Sequence, residues 1–204
     1  MMSVTHAIYA KKIAEHIKLM YGIKLRKYNL IYGSIKPDMS VFFSKIPHYF
    51  DESLDILCLN INSLIDSTDN KREIETMAFA RELGVVLHYI TDYFCRAHND
   101  INGKKHPTNY KHIVYEQRFQ NKLKSYELDE FREKAAISID TDLEHIYENS
   151  LKTYISKKHN KYMKEAGKLV LYNPLYRNRM LDMEYSFCMS TVVATYIIDK
   201  IMQK

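Results

Sequence analysis

Only five glycines and four prolines punctuate 204 residues. A chain with so few turn-formers favours long helices over a sheet of many short strands. The apolar pattern agrees. His6, Ala10, Ile13, Ile17 and Met20 step by four and three, which is one face of a helix, with Ser3 or Thr5 as its cap. A second helix opens near Asp51, keeps Leu54, Leu57, Ile61 and Leu64 in phase, and stops in the polar run DSTDN. A long third helix covers about 71 to 96, a fourth starts near 108, and one or two fill 127 to 166. Met180, Met183, Phe187, Thr191, Ala194, Ile198 and Ile201 stripe a last one. Residues 31–50, with Gly33, Pro37 and Pro47, read as an irregular connection, as does the stretch holding Asn102, Gly103 and Pro107. No repeat, low-complexity run or linker divides the chain. The expectation is all-α: a single-domain bundle of five or six helices over 1–204.

The charge balance excludes more than it selects. A formal net charge of +5 suits a phosphate-bearing partner, but no dense Lys/Arg block marks a nucleic-acid motif. Cys58, Cys95 and Cys188 are too few and too scattered for a disulfide framework or a Cys-x-x-Cys knuckle. No apolar run approaches the roughly 18 residues of a membrane span, and the amphipathic start lacks the apolar core of a signal peptide. A cytoplasmic protein is the expectation.

Against this plain background, residues 87–98, LHYITDYFCRAH, put two imidazoles and a carboxylate on a helix that otherwise reads as buried. Ligand-type residues gather on inward stripes or in the breaks beside them: His6, Asp38, His48, His88, Asp92, His98, His112 and Glu116. Two pairs, His88/Asp92 and His112/Glu116, stand four apart, so each shares one helix face. Imidazole nitrogen and carboxylate oxygen are what zinc accepts, at about 2.0–2.2 Å. Burying so many ionisable groups is very costly unless cations share the site. The expectation is a buried multinuclear metal centre. Cys95 reads as a small packing residue, and His16, His106, His145 and His159 as surface residues outside the pattern. Phe42, Phe43, Tyr49 and Phe50 serve equally as walls of a cleft or as core.

The order and spacing of these eight residues resemble the zinc-dependent phospholipase C family, which is related to three-zinc single-strand nucleases. The family pattern is an early His, a loop Asp, a His ten to fifteen residues later, then His-x3-Asp-x5-His and His-x3-Glu. Here it reads His6, Asp38, His48, His88/Asp92/His98 and His112/Glu116. The resemblance implies one zinc at His48, His88 and Asp92 with Asp38 beside it, and a second at His98, His112 and Glu116. A third would lie between His6, Asp92 and Met1, whose amine and carbonyl replace those of the N-terminal Trp of secreted members. It implies a hydrolase of phosphoesters, a phospholipase C-like phosphodiesterase using metal-bound hydroxide, with Asp38 orienting or deprotonating the water. A nuclease or nucleotidase on the same site, or a non-catalytic metal-stabilised protein, are the alternatives. The substrate would be a phospholipid or nucleotide diester, and peripheral membrane contact is compatible with it. Choline-preferring members carry aromatic residues where this chain has Met39 and Lys45, so an anionic diester is expected over phosphatidylcholine.

Overall fold

A computed structural model describes residues 3–39, 46–99, 109–124, 129–172 and 177–204, with the side chains at 109–113, 122, 124, 129–132, 134–138, 169–172 and 177–178 outside that description. Among the described residues there are nine α-helices and no strand: α1 Ser3–Tyr21, α2 Lys27–Met39, α3 Phe50–Asp66, α4 Lys71–Ile74, α5 Met77–Tyr93, α6 Asn109–Lys124, α7 Asp129–Asn149, α8 Leu151–Tyr172 and α9 Arg177–Met202. A 3-10 turn, Arg96–His98, follows α5. The helix count exceeds the expectation because two segments divide differently from the way their sequence reads.

The first is residues 27–39, expected to be irregular and found as α2. Its glycine is a contact rather than a break. A Cβ on Gly33 would lie 2.0 Å from the Arg81 carbonyl oxygen, and one on Gly84 would lie 2.4 Å from that of Leu30. The backbones of α2 and α5 therefore touch along a seam that only hydrogen at these two positions allows. Pro37 falls in the last turn of α2, so the one helical bond lost is that from its missing N–H back to the Gly33 carbonyl.

The second is the long helix expected over about 71–96. Asn70 accepts from the Arg72 and Glu73 amides and Thr76 from the Phe79 amide, so two caps start two helices, α4 and α5. The expected faces otherwise pack inward. Ala10, Ile13 and Ile17 of α1, Leu54, Leu57, Ile61 and Leu64 of α3, and Met183, Phe187, Ala194, Ile198 and Ile201 of α9 are buried. Met20 differs from expectation: it is half exposed, in the last turn before Gly22 ends α1 in the left-handed region at φ 64°.

α9 runs against α1, α3, α5, α7 and α8, and is buried on more than its apolar stripe. Asp182, Ser186 and Ser190, at helical spacing, are fully buried too. Each has a polar partner on another helix: Tyr162 for Asp182, Tyr9 for Ser186 and Thr91 for Ser190. No helix among the described residues is long and apolar enough to cross a membrane.

Candidate metal centre

The last two turns of α5 bring His88 and Asp92 side by side, both fully buried. His88 is oriented by the glycine seam. Gly84 lies one turn before it, and the close approach there sets the Ser34 carbonyl oxygen of α2 at 2.9 Å from His88 Nδ1. A carbonyl only accepts, so Nδ1 carries the proton and donates it. The lone pair is left on Nε2, which faces Asp92 Oδ2 at 3.3 Å, Asp38 Oδ1 at 3.7 Å and His48 Nδ1 at 3.2 Å.

The other groups converge on the same spot from separate elements. His6, three residues into α1, stacks on the His88 ring with centroids 4.1 Å apart. Its Nε2 lies 3.4 Å from Asp92 Oδ1 and 4.0 Å from Asp38 Oδ2. Asp38 stands at the end of α2, not in a loop as its sequence context suggested. His48 comes from the extended segment ahead of α3, its Nδ1 3.0 Å from Asp92 Oδ2. His98, on the 3-10 turn, presents Nε2 to Asp92 Oδ1 at 3.5 Å and to Glu116 Oε1 of α6 at 3.2 Å. Asp92 thus turns one oxygen to His48 and His88 and the other to His6 and His98.

Electrostatics favour donors over fixed positive charge. Burial pushes His88 well below the ordinary imidazole range, with His6 adding to the effect and Asp92 opposing it. Burial likewise brings His98 down to about 4 against the pull of Asp92 and Glu116. Both rings are neutral at pH 7 and offer lone pairs. Burial would raise the Asp92 carboxyl, but at the acid pH where it would titrate the surrounding imidazoles, His98 foremost, carry protons and hold it well below the usual carboxylate range. Burial raises Asp38, and Asp92 adds to that.

These residues fit zinc by the chemistry of the donor set. Three groups of them each bring ligand atoms within 4.8 Å of one another: His6/His88/Asp92, Asp38/His48/His88 and His48/Asp92/His98. His6 is fully buried, and neither of its ring nitrogens has a hydrogen-bond partner among the described residues. A bound cation would satisfy Nε2. The Ser34 carbonyl is the kind of outer partner that fixes a ligating histidine's tautomer. Among the described residues the cluster is open on one side, where the Asp38 side chain is 25% exposed and that of His48 19%.

Some expected residues lie elsewhere. Met1, Lys45, Phe42, Phe43 and His106 fall outside the described residues, as does the side chain of His112, one turn before Glu116 on α6. His16 and His159 are buried, contrary to the surface role expected of them. His16 takes an inward place on α1. His159 stacks on Phe50 with centroids 3.8 Å apart, and its Nε2–H donates to Asn99 Oδ1 at 2.7 Å. Phe50 is partly buried and packs against the core, whereas the Tyr49 ring lies 6.4 Å from that of His98. Cys95 is fully buried and packs in the core, as expected.

Sequence reasoning missed Ser34, whose contribution is a backbone carbonyl that no side-chain pattern reports. It also missed Tyr89, a buried tyrosine whose ring meets His48 and His88 at 5.3 and 5.4 Å. Adjacency to His88 on a wholly buried helix was the available signal.

A family model described as zinc dependent phospholipase C matches residues 5–169. No curated protein and no solved structure matches the chain significantly.

Proposed function

This chain belongs to the zinc dependent phospholipase C family, and from that premise we propose that it hydrolyses phosphodiesters at the cluster around Asp92. The observation that carries the reading is the position of Asp92, a buried carboxylate whose two oxygens face two pairs of imidazole nitrogens. In this reading His48, His88 and Asp92 would hold one zinc, with Asp38 beside it, and His98, His112 and Glu116 a second. His6 and Asp92 hold a third together with Met1. Zinc, when bound, supplies a Lewis acid for a phosphoryl oxygen and lowers the pKa of water to about 7.

The chain's own residues do the rest. Asp92 would be shared by the first and third ligand sets, one oxygen facing His48 and His88 and the other His6. Ser34 keeps the proton of His88 on Nδ1 and Nε2 free to ligate. Asp38 accepts the proton of the attacking water. Its partial exposure leaves room for water and substrate beside it. That opening favours a catalytic role over a purely structural one, because structural zinc sites are closed by protein ligands.

We extend the proposal to substrate: an anionic diester is preferred over phosphatidylcholine, because Lys45 and Met39 stand where choline-preferring relatives have aromatic residues. A lysine at that position in the sequence pattern removes an aromatic face that would hold trimethylammonium and adds a like charge. The test is zinc analysis of untagged protein followed by rates on zwitterionic and anionic phosphodiesters, lipid and nucleotide, for parent and Lys45→Phe. Anionic diesters should be cleaved faster, with the gap narrowed in Lys45→Phe. A zinc-loaded protein that cleaves no diester would sink the reading, and an unchanged substrate ratio would remove Lys45 from it.

A further inference from the structure

A second buried carboxylate stands behind the cluster. Asp182, in the second turn of α9, is fully buried and lies beyond the residues matched by the family model. It accepts three hydrogen bonds. The Arg96 amide donates to Oδ2 at 2.9 Å, the Tyr115 hydroxyl to Oδ2 at 2.5 Å, and the Tyr162 hydroxyl to Oδ1 at 2.9 Å. Two of these donors belong to segments that carry candidate ligands. Arg96 opens the 3-10 turn that ends in His98, and Tyr115 immediately precedes Glu116 on α6. The two segments meet at Oδ2, and their ligand side chains meet again where His98 Nε2 lies 3.2 Å from Glu116 Oε1.

We propose that Asp182 is a positioning residue for the metal centre, clasping the His98 turn to the Glu116 helix so that both present their ligand atoms at one point. The proposal rests on the zinc reading given above. The 3-10 turn needs such a clasp. It is three residues long, follows the end of α5, and has no side-chain cap of its own. A fixed carboxylate holds its first amide, while Asn99 holds its far side by donating Nδ2–H to the Tyr93 and Cys95 carbonyls. Tyr162 gives the comparison that separates positioning from plain stability. Its hydroxyl meets the same carboxylate, but it sits on α8, which carries no candidate ligand.

The experiment measures zinc affinity by chelator competition, zinc stoichiometry, and the melting temperature of the metal-free protein, for the parent and for Tyr115→Phe, Tyr162→Phe, Asp182→Asn and Asp182→Ala. Removal of a partner that orients a ligand costs about 10–100-fold in metal affinity. Tyr115→Phe and Asp182→Ala should weaken one zinc by that factor and leave the remainder bound as in the parent. Asp182→Asn, which keeps an acceptor for the Arg96 amide, should recover part of the loss. Tyr162→Phe should stay within about threefold of the parent, although its metal-free melting temperature falls as far as that of Tyr115→Phe. Equal zinc affinity in Tyr115→Phe, Tyr162→Phe and the parent would overturn the clasp, as would equal weakening in both tyrosine variants. The tyrosine pair decides the matter if Asp182→Ala does not fold. A parent chain that takes up no zinc overturns the clasp together with the metal reading beneath it.

Discussion

Asp92 and Asp182 are both fully buried aspartates on helices, and they are handled in opposite ways. Asp92 is ringed by imidazole nitrogens, which hold its carboxyl well below the ordinary range against the upward push of burial. Asp182 meets two phenols and an amide, and burial still pushes it up to about 6. Phenols and amides bring their own protons, so hydrogen bonds alone satisfy Asp182. Neutral imidazoles can turn a lone pair toward a shared point, so the surroundings of Asp92 suit a cation. Burial alone therefore does not make a ligand; the protons of the neighbours decide.

The contrast is sharpest in activity. Asp92→Asn should lower phosphodiester hydrolysis on the order of a thousandfold or more, the rate equivalent of losing several kcal/mol of charge stabilisation. It should also lose zinc from the sites that Asp92 shares, while His98, His112 and Glu116 keep theirs. Asp182→Asn, assayed in saturating zinc, should recover most of the parent rate. Similar losses in both variants would erase the distinction.

Metal removal should divide the molecule along the same line. Free zinc at about a thousandfold above its dissociation constant stabilises by about 4 kcal/mol. Chelation should therefore lower the melting temperature by several degrees or more. Hydrogen exchange should quicken first in α1, the end of α5 and α6, with α8 and α9 following only at global unfolding. An unchanged melting curve after verified metal removal would contradict a buried metal cluster.

The glycine seam belongs to the Asp92 side alone. Gly84→Ala or Gly33→Ala must part α2 from α5, at a cost of about 3 kcal/mol, the upper end for overpacking. The same shift draws the Ser34 carbonyl away from His88, so zinc affinity should fall with stability. Denaturant titration with and without zinc tests this, and a Gly84→Ala protein as stable as the parent would show that the seam can yield.

The smallest effect concerns pH. Burial lowers His159 to about 4, so between roughly 6.5 and 4 the unfolded chain binds the proton and the folded chain does not. The stability due to neutral His159 is complete above about 6.5 and is lost as pH falls, by about 2 kcal/mol between pH 7 and 5. Asp182 works the other way. Its raised carboxyl keeps a proton that the unfolded chain releases, so its contribution declines as pH rises from about 4 to 6. Metal-free His159→Gln should lose less stability on acidification than the parent, and Asp182→Asn more. Parallel pH curves for all three proteins would show that neither group titrates as its surroundings suggest.

Much of this was legible in the sequence. The stripes of α1, α3 and α9 announced helices because apolar spacing reports burial directly, and the i to i+4 spacing put His88 and Asp92 together. What failed has a common cause. Gly33 reads as a break unless Gly84, across the seam, is known to oppose it. Asp182, Ser186 and Ser190 lie off the apolar stripe, and only Tyr162, Tyr9 and Thr91, which meet them, show that they are buried. His159 reads as exposed until Phe50 stacks on it. In each case the deciding partner lies on another helix, and local periodicity carries no record of it.

One of those contacts also sets a timetable. The Tyr9 hydroxyl, on the first helix, meets the Ser186 hydroxyl on the last, 177 residues later. Ribosomes add roughly 5–20 residues per second, so about 10–35 s separate the appearance of the two partners. α1 can lie against α2 early in that interval, but its other side waits for α9 to emerge. The nascent chain must carry that half-covered helix through most of its synthesis, and in that time the growing chain is most open to wrong partners.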